Sequence, residues 1–138
     1  MDASVVAKWV LPGEPYQENS VKLKEKHVLG EVELCAPSFL VLEVANSLWR
    51  AVKLTRLSKN DAMEALSALN DMKIDFQNID WTQSGEVLEI AHKFNTAIHD
   101  ACYVLLAQKL KTQLITADNR LCEAAKGDIR ILHIKDYI

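Results

Sequence analysis

Apolar residues along this chain form short blocks separated by longer amphipathic segments. The short blocks are rich in β-branched residues and predict strands at residues 3–6, 34–36, 76–79, 113–116 and 129–134. Between them, apolar residues recur at intervals of three and four, which predicts helices at 15–28, 39–54, 59–72, 81–94, 98–110 and 120–126.

The alternation of strands and helices indicates an α/β fold. No two-residue hairpin signal joins one predicted strand to the next, and a helix between consecutive strands allows them to pair in parallel. We therefore expect three layers, with helices on both sides of a central parallel sheet of about four to five strands. In such sheets, functional groups gather at the carboxyl ends of the strands.

Four acidic residues stand out by their position in this pattern. Asp2 lies beside the first predicted strand, Asp118 follows the fourth, and Glu43 and Asp100 lie in apolar helical segments. Each has an ordinary explanation: a disordered terminal residue, a helix N-cap, a solvated helix stripe, or a charge that complements a helix N-terminus. One shared site explains all four together, so we expect these carboxylates to meet at one edge of the sheet.

Crowded carboxylates favour a divalent cation, because like charges repel unless a cation neutralises them. Mg²⁺ and Mn²⁺ are hard ions that prefer oxygen ligands, and they can activate water and stabilise the charge on a phosphodiester. The sequence patterns of a nucleophile elbow, a P-loop, a dinucleotide fingerprint and a zinc site are absent. His99, beside Asp100, is either a phosphate contact or a partly packed surface histidine.

Composition adds few constraints. The 138 residues are 49% hydrophobic and 25% charged, which is typical of a globular protein, and the net charge of −3 does not indicate a nucleic-acid-binding protein. The longest apolar run, residues 101–107, is far shorter than the roughly 20 residues of a membrane span, and the first residues do not resemble a secretory signal. The three cysteines have no paired spacing, so we expect reduced thiols in a cytoplasmic protein.

A local cluster of basic residues changes the meaning of the net charge. Arg50, Lys53, Arg56 and Lys59 recur every three residues, and the first two lie on the predicted helix that carries Glu43. This stripe can hold RNA phosphates, or it can be a solvated helix end where the helix dipole favours basic residues. The sequence leaves both interpretations open.

Four sequence blocks carry a family resemblance: MDASVVAKW, LEVANSLWR, HDACYVLLA and LITADNRL. In order and spacing they resemble the motif blocks of PIN-domain ribonucleases, and more narrowly the VapC-type toxins of prokaryotic toxin–antitoxin pairs. The resemblance spans essentially the whole chain. It implies a single PIN domain over residues 1–138 with a PIN-like three-layer fold.

The resemblance also implies a site and partners. The catalytic and metal-binding acids of the family match Asp2, Glu43, Asp100 and Asp118. The supporting polar residues of the family match Ser4 and Thr116. The sequence pattern alone adds Asn46, on the same predicted helix face as Glu43, and the candidate RNA-binding residues Arg50, Lys53 and Arg56. The implied activity is a Mg²⁺- or Mn²⁺-dependent endoribonuclease, often a homodimer, silenced by a small VapB-type antitoxin whose tail fills the active-site groove.

The start of the chain departs from the family pattern. Family members usually have several apolar residues before the first aspartate, which form a central strand, whereas only Met1 precedes Asp2 here. We expect either a shortened first strand or a start downstream of the natural one. A PIN nuclease of ribosomal RNA processing and a non-catalytic module with the PIN fold remain the alternative functions.

Overall fold

The computed structural model describes all 138 residues. It contains seven α-helices and four short strands, so the predicted α/β class is confirmed. The helices are α1 (Ala3–Val10), α2 (Gln17–Val28), α3 (Leu40–Lys53), α4 (Lys59–Asn70), α5 (Ser84–Phe94), α6 (Ile98–Lys109) and α7 (Asn119–Ala125). The strands are β1 (Cys35–Pro37), β2 (Asp75–Gln77), β3 (Leu114–Thr116) and β4 (Ile131–His133). The six predicted helices are all present, and their ends differ from the prediction by up to three residues.

The predicted strand at residues 3–6 is wrong, because these residues form the first half of α1. The Asp2 side chain accepts a hydrogen bond from the Val5 backbone N–H and caps the helix, and the backbone of Asp2 is itself extended. Val5, Val6 and Trp9 are all buried, and their spacing (i, i+1 and i+4) places them on one face of a helix. The adjacent valines suggested a strand, and the cap together with tertiary packing overrides that propensity.

All four strands pair in parallel as predicted, but the expected central sheet of about four to five strands is divided in two. The strands form two separate parallel pairs, β1 with β2 and β3 with β4. Met1 and Asp2 lie between the pairs: the Met1 nitrogen lies 3.3 Å from the Cys35 carbonyl oxygen, and the Asp2 N–H donates to the Ile115 carbonyl oxygen at 3.1 Å. Because α1 begins at Ala3, this connection is too short to form a strand.

Helix α6 is the central element of the core. Every residue from Ala101 to Ala107 is buried, since the helix packs against α5, β1 and β3. Helix α1 packs against α2, α3 and β3. The N-termini of α1, α3, α6 and α7 carry the four acids singled out above, so the packing of these helices decides whether the acids meet.

Two further properties bear on the sequence-based expectations. All three cysteines are free thiols; Cys102 is buried, and Cys35 and Cys122 are half-buried. Burial raises the pKa of all three thiols, which favours the unreactive protonated form. None of the helices combines the length and the apolar character that crossing a membrane requires.

Candidate active site

All four acidic residues line one open cleft of about 490 Å³. Asp2 precedes α1, Glu43 lies in the first turn of α3, Asp100 lies in the first turn of α6, and Asp118 is the N-cap of α7. The four acids therefore come from four different helices, and α3 forms one wall of the cleft along its side, from Phe39 to Arg50. The other lining residues are Ala3, Ser4, Phe39, Leu42, Asn46, Ser47, Arg50, His99 and Tyr103.

Asp2 is the most enclosed of the four carboxylates, with 5% of the residue exposed. One carboxylate oxygen accepts from the Ser4 hydroxyl at 2.5 Å and from the Val5 N–H at 3.3 Å, and the other accepts from the Thr116 hydroxyl. Burial raises the pKa of the Asp2 carboxyl above its usual value, and the Ser4 and Thr116 hydrogen bonds oppose that rise. Ser4 and Thr116 thus directly support Asp2.

Asp118 combines the two roles that its sequence position allows. Its Oδ1 accepts from the backbone N–H groups of Arg120 at 2.7 Å and Leu121 at 3.2 Å, so it caps α7. Its own N–H donates to the Thr116 hydroxyl at 2.9 Å, which ties the end of β3 to the Asp2 network. Oδ2 of Asp118 has no hydrogen-bond partner in the protein and is free to bind a ligand in the cleft.

Asp100 has only one side-chain partner. Its Oδ2 accepts from the Thr96 hydroxyl at 3.0 Å, and its Oδ1 is free. Thr96 lies in the loop before α6, so the hydrogen bond fixes the carboxylate at the start of that helix. A carboxylate that is oriented by one hydrogen bond, with its second oxygen open to the cleft, is suited to hold a cation.

Glu43 is oriented by two aromatic residues of α6. The Tyr103 hydroxyl donates to Glu43 Oε2 at 2.6 Å, and Nδ1 of His99 lies 3.3 Å from Glu43 Oε1. Burial, followed by the hydrogen bond to Glu43, raises the pKa of Tyr103 well above its usual range, so the phenol remains a donor at all physiological pH values. Phe39 packs against both rings.

Reasoning from the sequence missed Tyr103 and Phe39, because aromatic residues in apolar segments suggest core packing. A helical signal for Tyr103 was present: it lies three residues after Asp100 and four after His99, so the three share one face of α6. The position of His99 in the cleft agrees with the ligand-contact interpretation, and its stacking on Phe39 agrees with partial packing.

The basic stripe is only partly at the cleft. Arg50 lines the cleft, whereas Lys53 lies outside it, with its ammonium 5.9 Å from the centre of the Trp49 ring. Arg56 lies beyond the end of α3, and its guanidinium pairs with Glu14 at 3.7 Å. The structure therefore brings Arg50, but not Lys53 or Arg56, to the acidic residues.

The donor set fits a hard divalent cation, although no three acidic, histidine or cysteine side chains converge within a common coordination sphere. Every candidate ligand is an oxygen: four carboxylates, the Asn46 amide and hydroxyl groups. Mg²⁺ binds through one or two carboxylates and keeps several waters, so an open cleft with free oxygens on Asp100 and Asp118 is compatible with it.

Comparison with known sequences identifies the family. The profile of the family described as PIN domain matches residues 1–127. The chain belongs to the PIN domain family. The resemblance seen in the four sequence blocks is thereby confirmed, and the nucleases of this family depend on a divalent metal.

Similar proteins include curated relatives and a solved structure. The chain is 29% identical over 127 residues to Ribonuclease VapC3 of Pyrobaculum aerophilum. The alignment covers 89% of this chain and 91% of that protein. The chain is 36% identical over 91 residues to Ribonuclease VapC1 of Mycobacterium tuberculosis. That alignment covers 64% of this chain and 65% of that protein. The crystal structure of PAE2754 from Pyrobaculum aerophilum has a similar fold, with a TM-score of 0.66 and 22% identity over 97% of this chain and 88% of that one.

Proposed function

We propose that this chain is a divalent-metal-dependent endoribonuclease and the toxin of a VapBC-type toxin–antitoxin pair. The observation that carries the proposal is the meeting of Asp2, Glu43, Asp100 and Asp118 at one cleft of a PIN domain. Relatives named Ribonuclease VapC support the toxin class. The proposed metal is Mg²⁺ or Mn²⁺, and the oxygen atoms of the candidate ligands support a hard divalent cation of this kind.

The chemistry assigns a role to each side chain. A bound divalent ion supplies Lewis-acid stabilisation of the phosphate and an activated water. Asp100 and Asp118 offer their free oxygens to that ion, and Glu43 is held in place by Tyr103. Asp2 adds negative charge to the wall of the cleft, while Arg50 lines the cleft and binds an RNA phosphate.

Incubation of the purified protein with RNA tests the activity. We expect endonucleolytic fragments in the presence of Mg²⁺ or Mn²⁺ and intact RNA when EDTA replaces the metal. End-labelled RNA on a denaturing gel distinguishes internal cleavage from trimming at the ends. Intact RNA under all metal conditions would contradict the proposed activity.

The proposed partners are RNA, a small VapB-type antitoxin and a second copy of the chain. The protein offers a second groove of about 460 Å³, between α3 and α4, which suits the apolar face of a small protein partner. It is lined mainly by apolar side chains, including Val41, Ala45, Leu66, Leu69 and Phe76.

The free thiols agree with a reducing compartment, and we assign the protein to the cytoplasm on that basis.

Replacement of Arg50 and Lys53 by alanine tests the RNA-binding surface. We expect weaker RNA binding and a smaller slope of log K, the binding constant, against log salt concentration. The slope should decrease in magnitude by about 0.7 for each phosphate of single-stranded RNA that the variant no longer neutralises. Fluorescence anisotropy in EDTA at several salt concentrations measures the slope without cleavage.

The matched control is Arg56→Ala, because Arg56 belongs to the same stripe but pairs with Glu14 away from the cleft. We expect this variant to keep the wild-type slope. An unchanged slope in the Arg50→Ala/Lys53→Ala double variant would show that the stripe does not hold RNA.

A further inference from the structure

His99 presents an aromatic face at the rim of the acidic cleft. Its ring stacks on Phe39, with 4.6 Å between the ring centroids and an angle of 25° between the planes. Its side chain is 61% exposed, and it lines the same cleft as the four carboxylates. One face of the imidazole is therefore covered by Phe39, and the opposite face has no aromatic partner in the protein.

Contacts with Phe39 and Glu43 hold the His99 ring in its orientation. Phe39 in turn meets the Tyr103 ring edge-on, at 5.6 Å and 78°, and the Tyr103 hydroxyl is bonded to Glu43. Nδ1 of His99 points to Glu43 Oε1 at 3.3 Å, so an edge of the imidazole is directed at the carboxylate. Phe39 thus contacts both the Tyr103 ring and the His99 ring, and the His99 side chain remains mostly exposed.

A flat, oriented aromatic face beside a phosphodiester-binding centre is suited to a nucleobase. Bases of single-stranded RNA stack on aromatic side chains regardless of sequence, because every base has a π-face. A base in a duplex is already stacked on both sides and cannot present that face. Leu42 lines the same cleft and is 72% exposed, so it adds apolar surface there.

We propose that His99, supported by Phe39, stacks on an unpaired base of the RNA substrate next to the bond that is cut. This inference rests on the proposed ribonuclease function and adds to it a residue that contacts a base of the substrate. The contact depends on the flat ring and does not depend on its charge. An aromatic replacement should therefore preserve it.

The test uses a short single-stranded RNA with 2-aminopurine at successive positions, because the fluorescence of this base is quenched when it stacks. With wild-type protein in EDTA, we expect quenching at one position. His99→Ala should abolish that quenching and weaken binding by about fivefold to a hundredfold, as for the loss of one stacked base. His99→Phe should retain both.

Salt and duplex measurements separate stacking from other roles. The slope of log K against log salt should be the same in His99→Phe as in the wild type, and the His99 variants should not differ in binding to the annealed duplex. His92→Ala is the matched control, because His92 is an exposed histidine on α5 outside the cleft. It should behave as the wild type.

Three results would overturn the inference. Suppose that the wild type binds and cleaves RNA, and that His99→Ala quenches the 2-aminopurine fluorescence and binds RNA as strongly as His99→Phe does. The stacking contact is then wrong and the ribonuclease proposal stands. The stacking contact is equally wrong if His99→Ala changes only the melting temperature. If the wild type neither binds nor cleaves RNA, the proposed function fails, and the stacking contact fails with it.

Discussion

Asp100→Asn should lower metal-dependent RNA cleavage by at least about a hundredfold, since loss of a residue that merely orients a metal ligand already costs 10- to 100-fold. The amide has the shape of the carboxylate but lacks its charge, and it is a poor ligand for Mg²⁺ or Mn²⁺. The fold should survive, because the Thr96 hydroxyl can still donate to the remaining oxygen. Initial cleavage rates and thermal melting measure the two effects separately.

The matched control is Asp61→Asn, the same chemical change on the exposed first turn of α4. This variant should cleave RNA at the wild-type rate, since Asp61 does not line the cleft. If Asp100→Asn retains wild-type activity in the same assay, Asp100 does not hold the catalytic metal and the site assignment is wrong.

The metal-free protein should lose stability relative to its Asp2→Asn variant as the pH rises. Burial raises the pKa of Asp2 above its ordinary value of 3.8, so the folded state binds a proton more tightly than the unfolded state does. The stability that Asp2 contributes is therefore fully present below pH 3.8 and is lost as the pH rises through the folded-state pKa. Asparagine does not titrate and shows no such loss.

Urea denaturation in EDTA at a series of pH values measures this difference, which should amount to about 1.4 kcal/mol for each unit of pKa elevation. Adding Mn²⁺ at neutral pH should restore stability to the wild type and do less for Asp2→Asn, because the cation offsets the buried negative charge. Asp61→Asn, the same change at an exposed residue outside the cleft, should not reproduce the difference that Asp2→Asn shows. Parallel curves for the wild type and Asp2→Asn would show that Asp2 does not carry this charge penalty.

The position of the acids was predictable from the sequence because strand ends and helix starts are local features. Asp118 follows a buried strand and begins a helix, and Asp100 opens the most apolar segment of the chain. In an α/β fold such positions meet at one edge, and the structure has all four acids on one cleft. Whether these residues bind metal and act in catalysis stays a prediction.

The start of the chain was not predictable from propensity. The Val5–Val6 pair has a strand-like composition, yet the Asp2 cap and the hydrogen bond from Ser20 to the Val5 carbonyl oxygen fix a helix there. The Ser20 contact joins residues 15 positions apart. Such contacts depend on the packing of α1 against α2 and leave no trace in a local pattern.

Long-range pairing also determined which basic and aromatic residues belong to the site. Arg56 and Arg50 look equivalent in the sequence, but Glu14, far away along the chain, engages Arg56. Tyr103 reaches Glu43 across 60 residues of sequence, a contact that only the packing of α6 against the rest of the core establishes. The local pattern therefore gave the acids, and tertiary contacts selected their neighbours.

A crystal structure of the protein with Mn²⁺ tests the central claim most directly, because Mn²⁺ is located by its anomalous scattering independently of any assumption about its ligands. The account predicts an anomalous peak in the acidic cleft, coordinated by at least two of Asp2, Glu43, Asp100 and Asp118 together with water. Saturating Mn²⁺ that leaves this cleft without a peak, or that binds only at other surface sites, would contradict it.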